Sequence, residues 1–152
     1  MTISLLAVGK KHEAWIEDGI KHYQDRLRKP FDIEWILLPH SALQGNSARQ
    51  DESERILARL DERDFVILLD ERGKQFDSPR FADLLHDTFV NGRKIVLIIG
   101  GAYGVDERVH RRADSVWSLS PLVFPHQLVR LVVIEQLYRA QQIIAGHPYH
   151  HS

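Results

Sequence analysis

Phe65-Val66-Ile67-Leu68-Leu69 and Ile95-Val96-Leu97-Ile98-Ile99, the second running straight into Gly100-Gly101-Ala102-Tyr103-Gly104, decide the fold of this chain. Each is a short run without a polar position. A half-exposed strand alternates apolar and polar residues, whereas a strand covered on both faces does not need to. Inner strands of this kind belong to parallel sheets flanked by helices. Working outward, residues 2–8, 31–38 and 115–119 supply three further strand candidates.

Helical spacing fills the gaps between them. Residues 12–27 carry Trp15, Ile16, Ile20, Tyr23 and Leu27 at turns of a helix. Residues 50–60 place Ile56, Leu57 and Leu60 among charges, with 40–48 read as a polar loop. Residues 70–77 read as a second polar loop. Ser78-Pro79 then provides an N-cap and a first-turn proline for a helix over 80–90, ended by Asn91-Gly92. Residues 105–113 predict a short helix with Asp106 and Glu107 in its first turn, and 126–145 a long one ended by Gly146. The resulting alternation predicts an α/β fold, a mostly parallel sheet with helices on both faces, formed by residues 1–152 as a single domain.

Composition narrows the function. The 152 residues include no cysteine, which excludes disulfides, thiolate metal sites and a cysteine nucleophile, and fits a cytoplasmic protein. No apolar stretch approaches the ~20 residues of a membrane helix, and the N-terminus lacks the basic start of a signal peptide. Net charge is −1, so no bulk positive field holds nucleic acid. Acidic side chains concentrate in 51–90, 11 against 6 basic. A polyanion contact is therefore expected elsewhere, at Arg93, Lys94, Arg108, Arg111, Arg112 or the C-terminal tail, unless these are solvated surface charges.

In parallel α/β folds ligands bind beyond the carboxyl ends of the strands. Three loops qualify, after Leu69, Ile99 and Leu119. Gly100, Gly101 and Gly104 permit close backbone approach to a ligand, or simply a tight strand-to-helix turn. Their spacing is neither a Rossmann fingerprint nor a P-loop. Leu119-Ser120-Pro121-Leu122-Val123-Phe124-Pro125 is too apolar for a solvent loop. It is buried by the core, by a partner, or by a flat heterocycle such as adenine. Asp70, Glu71 and Arg72 are either catalytic or capping.

The helix over 126–145 is apolar almost all round, from Leu128 and Val129 to Ile143 and Ile144. One sheet covers one side only, so a second subunit is expected to cover the rest, giving a homodimer. Glu135 and Arg139 stand at i, i+4, where an ion pair forms. The tail His147-Pro148-Tyr149-His150-His151 does not converge on a metal, and none is expected.

With these residues collected, the sequence resembles the RlmH family of SPOUT methyltransferases over nearly its whole length. The markers are Ala7-Val8-Gly9-Lys10, Leu69-Asp70-Glu71-Arg72-Gly73-Lys74, Ile99 to Gly104, Trp117-Ser118-Leu119-Ser120, Pro125 to Arg130, Glu135 to Ala140, and His147-Pro148-Tyr149-His150. The resemblance implies a trefoil knot in the C-terminal part of the fold, a homodimer, and S-adenosylmethionine as methyl donor without a metal. It implies methylation of N3 of a pseudouridine in helix 69 of 23S rRNA, on the assembled ribosome. Donor contacts map onto Leu69, Gly100, Leu119, Ser120, Pro121, Leu122, Val123 and Phe124. From their place beside the proposed donor loop, in the same or the partner subunit, Glu135, Arg139, Tyr149 and His150 are expected to be catalytic: Arg139, with Arg130, stabilises the base carbonyl, Glu135 orients Arg139, and Tyr149 and His150 close over the base with His150 as proton acceptor. This chain departs from the family pattern at Ala102-Tyr103, where a proline and a glutamate are common, and at His151, where a lysine or arginine often stands. Two other readings share the strand-helix order or the partner: a flavodoxin-like nucleotide-binding enzyme and a non-catalytic ribosome-binding dimer.

Overall fold

The computed structural model describes residues 2–150; His151 lies outside the described residues. Ten elements alternate along them: β1 (Thr2–Val8), α1 (Ala14–Gln24), β2 (Asp32–Leu38), α2 (Gly45–Leu57), β3 (Phe65–Lys74), α3 (Ser78–Val90), β4 (Ile95–Ile99), α4 (Glu107–Arg112), β5 (Ser115–Trp117) and α5 (His126–Ala145). The strands form one sheet in the order β2-β1-β4-β3-β5, and every neighbouring pair is parallel.

Side chains of successive strand residues leave on opposite faces, and the two faces hold two cores. Ile3, Leu5, Ile67, Leu97 and Ile99 pack against Ile16 and Ile20 of α1, Phe81 and Leu85 of α3, and Val133, Ile134 and Leu137 of α5. Leu6, Val8, Val66, Leu68, Val96 and Ile98 pack against Ile56 of α2 and Val109 of α4. Helices therefore cover both faces, which is why β3 and β4 carry no polar residue where they pair with each other, at 65–69 and 95–99. Burial of each large apolar side chain contributes roughly 1.5–3 kcal/mol. A stack of Phe81 on Trp117 (ring centroids 4.2 Å apart) and Trp117 on Phe76 (5.0 Å) fastens β5 to α3.

Three local expectations are corrected. The 40–48 loop is shorter than expected, because α2 begins at Gly45; Ser41 instead turns the chain by accepting from the Leu43 N–H and donating to Asp51 (2.7 Å). Residues 70–74 are not a free loop but the end of β3. The pairing with β5 slips there, so that Leu69 and Lys74 both stand opposite Trp117 and residues 70–73 bulge from the sheet. Ser78 does not cap α3. Asp77 does, accepting from the Arg80 N–H at 3.0 Å, while the Ser78 hydroxyl donates to Gln136 of α5 at 2.6 Å.

α5 lies between α1 and α3 on one face of the sheet. Its chain leaves through Gly146, whose φ of +74° is the left-handed conformation that ends helices and favours glycine. The His147 N–H then bonds the Gln142 carbonyl (2.9 Å), which folds the tail back along the helix.

Candidate active site

The carboxyl ends of β3, β4 and β5 open on a cleft of about 530 Å³. This volume is within the usual range for a small-molecule site. Of the eight residues expected to contact the donor, Leu69, Gly100, Leu119, Ser120, Leu122, Val123 and Phe124 line the cleft; Pro121 belongs to the same loop but does not. The glycine turn forms one wall. A β-carbon on Gly101 would stand 2.9 Å from the buried carboxylate Oε1 of Glu52 and 3.1 Å from Val8, so only bare backbone fits between the cleft and α2. Opposite, Leu122 and Val123 are 69% and 80% exposed. The loop that carries them is shaped locally by Ser120, whose hydroxyl accepts from the Leu122 N–H at 3.0 Å.

The β3 bulge brings Asp70, Glu71 and Arg72 to the rim. Asp70 accepts from the Arg72 N–H (2.8 Å) and guanidinium (3.3 Å) and lies 3.2 Å from His110 Nε2. Burial would raise the Asp70 carboxyl, but the hydrogen bonds from Arg72 and the charges of Arg72 and His110 hold it below the usual range. In the sequence alone Asp70 reads equally as a catalytic or a capping residue. The structure adds His110, from α4, which no spacing signal marked. It also adds Trp117, Arg49 and His126 to the lining. The Trp117 indole N–H is buried and has no partner among the described residues. Burial, then the charge of Arg130 and that of His40, lowers the pKa of His126.

A second cluster sits on α5 and the tail. Glu135 Oε1 accepts from Arg139 Nε (3.0 Å) and a terminal nitrogen (2.8 Å), and from the Tyr149 hydroxyl (3.1 Å). The Arg139 guanidinium also lies 4.9 Å over the Tyr149 ring and 3.1 Å from His150 Nδ1. A guanidinium only donates, so Nδ1 accepts and the His150 proton rests on Nε2. That Nε2 is buried without a partner among the described residues. Burial, reinforced by the Glu135 carboxylate, pushes the Tyr149 phenol up to about 12, so it remains a donor. The four residues expected to act together are thus in contact. None of them lines the cleft of its own chain. Val129 does, and Arg139 lies ten residues on, about 15 Å along the helix axis at 1.5 Å per residue.

Two expectations are corrected here. Arg130 is not near the second cluster. It is wholly buried, donating to the carbonyls of Val8 (3.1 Å), Gly9 (3.2 Å) and Lys11 (3.1 Å), where it locks the end of β1 to α5. And the basic side chains of 91–112 are largely spent within the fold. Arg93 pairs with Asp114 (3.5 Å), Arg108 with Glu54 (2.6 Å) and Asp106 (2.8 Å), and Arg112 with Asp114 (3.4 Å).

The parallel sheet with a glycine-walled cleft at its carboxyl edge is an α/β fold with a candidate ligand site at the strand ends, and comparison gives its class. Residues 1–150 match the family model described as "Predicted SPOUT methyltransferase", and the chain belongs to that family. At closer range it is similar to proteins named "Ribosomal RNA large subunit methyltransferase H". That of Christiangramia forsetii is 42% identical over 156 residues, that of Streptococcus sanguinis 42% over 158, and that of Hahella chejuensis 37% over 154, each comparison covering 99% of both chains. Among solved structures, the tRNA (m1G37) methyltransferase of Aquifex aeolicus aligns with a TM-score of 0.57 at 16% identity, over 100% of this chain and 76% of its own. A probable methylase family protein of Haemophilus influenzae aligns with a TM-score of 0.56 at 9% identity, over 99% and 70%. These last two likenesses concern the fold. No helix of the described residues is long and apolar enough to cross a membrane.

Proposed function

We propose that this protein transfers the methyl group of S-adenosylmethionine to N3 of a pseudouridine in helix 69 of 23S rRNA, on the assembled ribosome in the cytoplasm, and that it does so as a homodimer. The observation that carries the reading is the cleft itself. Leu69, Gly100, Leu119, Ser120, Leu122, Val123 and Phe124 surround a space of about 530 Å³, with bare glycine backbone on one side and uncovered Leu122 and Val123 on the other. Such a space suits a flat heterocycle between apolar walls. The ~40% full-length identity to proteins named for methylating large-subunit ribosomal RNA supports the acceptor.

Bound there, S-adenosylmethionine supplies an electrophilic methyl group on a sulfonium that needs no help to leave. The remaining task falls to this chain's own residues. The N3–H of the base is a weak acid, and its nitrogen attacks only as the proton departs, so alignment and charge stabilisation set the rate. Arg139 donates to the base carbonyl beside N3, where negative charge develops. Glu135 holds Arg139 from behind, and Tyr149 closes over the base while donating to Glu135. As Arg139 turns to the carbonyl it releases His150 Nδ1, which takes the N3 proton. The N3–H bond breaks and its proton ends on the imidazole, while the N–CH3 bond would form as the methyl–sulfur bond of the donor breaks and the neutral thioether departs.

The distance along α5 between the cleft-lining Val129 and Arg139 favours a site shared between two subunits, each tail serving its partner's cleft. Val129, Leu131, Val132 and Ile143 remain only partly covered within one chain, as a dimerisation face requires. A trefoil knot belongs to the same reading. Its support is that the chain leaves β5 at the sheet edge and returns by the cleft loop to seat α5 between α1 and α3.

The test compares turnover with labelled donor on ribosomes and on a short RNA hairpin of the same sequence. With a net charge of −1, the protein is expected to label ribosomes and scarcely touch the hairpin. Equal rates would contradict recognition of an assembled surface, and no labelling of either would contradict the reaction.

A further inference from the structure

At the corner where α1 runs into β2, the chain reads Arg26-Leu27-Arg28-Lys29-Pro30-Phe31. Leu27 and Phe31 are buried, and they hold the three intervening or flanking cations, Arg26, Arg28 and Lys29, out in solvent. These cations surround a hollow of about 470 Å³ that also takes in Phe31, Ile144 and His147. The Arg26 guanidinium donates to the carbonyl of His22, and that of Arg28 to the carbonyls of Asp25 and Leu27. Backbone carbonyls orient a guanidinium without cancelling its charge. The nearby carboxylate of Asp25 is taken by Lys21 at 2.9 Å. Arg26, Arg28 and Lys29 take part in none of the ion pairs among the described residues, in contrast to Arg93, Arg108 and Arg112, which are neutralised by carboxylates.

In a chain whose total charge is slightly negative, three adjacent uncompensated cations are a local field of one sign. They stand beside His147, two residues before Tyr149, so whatever binds the hollow lies next to the tail. The floor is apolar and the rim is cationic and amide-bearing, the complement of a nucleotide, with a flat base and an anionic phosphate.

We propose that this corner is where the phosphodiester backbone of the substrate RNA docks, with Arg26, Arg28 and Lys29 as its phosphate ligands. The inference rests on the proposed RNA substrate and adds the surface that holds it. Phosphate contacts of this kind position an RNA without reading its sequence, which leaves selection of the base to the tail and the cleft.

The test is binding, not turnover. Association of the 152-residue protein with purified ribosomes is measured against KCl concentration for the wild type, for the triple variant Arg26→Ala, Arg28→Ala, Lys29→Ala, and for the charge-keeping double variant Arg26→Lys, Arg28→Lys. Loss of three phosphate contacts is expected to weaken binding about tenfold or more at 0.15 M salt and to flatten the log–log salt slope by roughly 2. The double variant is expected to keep the wild-type slope. Unchanged affinity and slope in the triple variant would overturn the proposal. So would a double variant as impaired as the triple one, since the corner would then act through guanidinium geometry within the fold. Dissociation of the triple variant into monomers would overturn it too, by showing the hollow to be an interface between copies. Because ribosome binding is read without methyl transfer, failure of the reaction and failure of this surface give separate signatures.

Discussion

The Tyr149 hydroxyl donates to Glu135 Oε1 across 3.1 Å, tying the tail to the middle of α5 through the same oxygen that Arg139 engages twice. The arrangement makes Glu135 the anchor of the whole cluster, with its second oxygen held by the Gln136 amide at 2.7 Å. A reactive base beside Arg139 would be positioned by a carboxylate it never touches.

Replacing Glu135 by Ala should therefore act on geometry. Arg139 and Tyr149 lose their common partner, and a displacement of about 1 Å is enough to lower kcat about 100-fold. Donor affinity, read by calorimetry, is expected to remain that of the wild type. A variant with normal kcat would show that the cluster is not part of the catalytic machinery.

Tyr149 sets a pH expectation. Its phenol is pushed up to about 12 by burial and by Glu135, above the ordinary value near 10. A raised acid contributes stability that is complete below the unfolded pKa and is lost as pH rises from about 10 towards 12. Ultraviolet titration of the wild type minus Tyr149→Phe should show this tyrosinate forming near pH 12. The Phe variant should lose less stability than the wild type over that interval. A normal titration near pH 10 would mean that the tail is not seated on α5.

Gly101→Ala tests the wall of the cleft. The added carbon would lie 2.9 Å from Glu52 Oε1 and 3.1 Å from Val8, so the turn must move outward. Overpacking of this order costs about 1–3 kcal/mol, to be read as a lower Tm together with weaker donor binding. Unaltered donor affinity would place the donor away from this turn.

Arg130→Ala separates fold from chemistry. Removing a fully buried guanidinium strands the carbonyls of Val8, Gly9 and Lys11. A loss of about 1–3 kcal/mol for each buried acceptor left without a donor is expected in denaturant unfolding. A stable Arg130→Ala protein would contradict the structural role given to this side chain.

Much of this architecture was legible in the chain. The apolar runs of β3 and β4 announced a sheet covered on both faces, and the loops beyond Leu69, Ile99 and Leu119 do meet in one cleft. What escaped is nonlocal. The slip of β3 against β5 depends on pairing between residues about forty apart, so residues 70–74 read as an ordinary polar loop. His110 reaches Asp70 only because α4 crosses back over the β3 end. Arg130 carries the same residue type as Arg139 on the same helix. Nine residues are two and a half turns at 3.6 per turn, which turns it to the opposite side, into the carbonyls of β1. Nor did composition show which cations are free. Arg108 and Arg26 look alike in sequence, and only their neighbours, Glu54 and Asp106 for one and a backbone carbonyl for the other, distinguish them.

Methyl transfer to one nitrogen of one ribosomal base is read most directly by nucleoside mapping. Ribosomes from cells lacking this protein are incubated with it and with methyl-labelled S-adenosylmethionine, then digested. Label is expected in N3-methylpseudouridine from helix 69 of 23S rRNA and nowhere else. Label in another nucleoside, or none in the presence of bound donor, would contradict the proposed reaction.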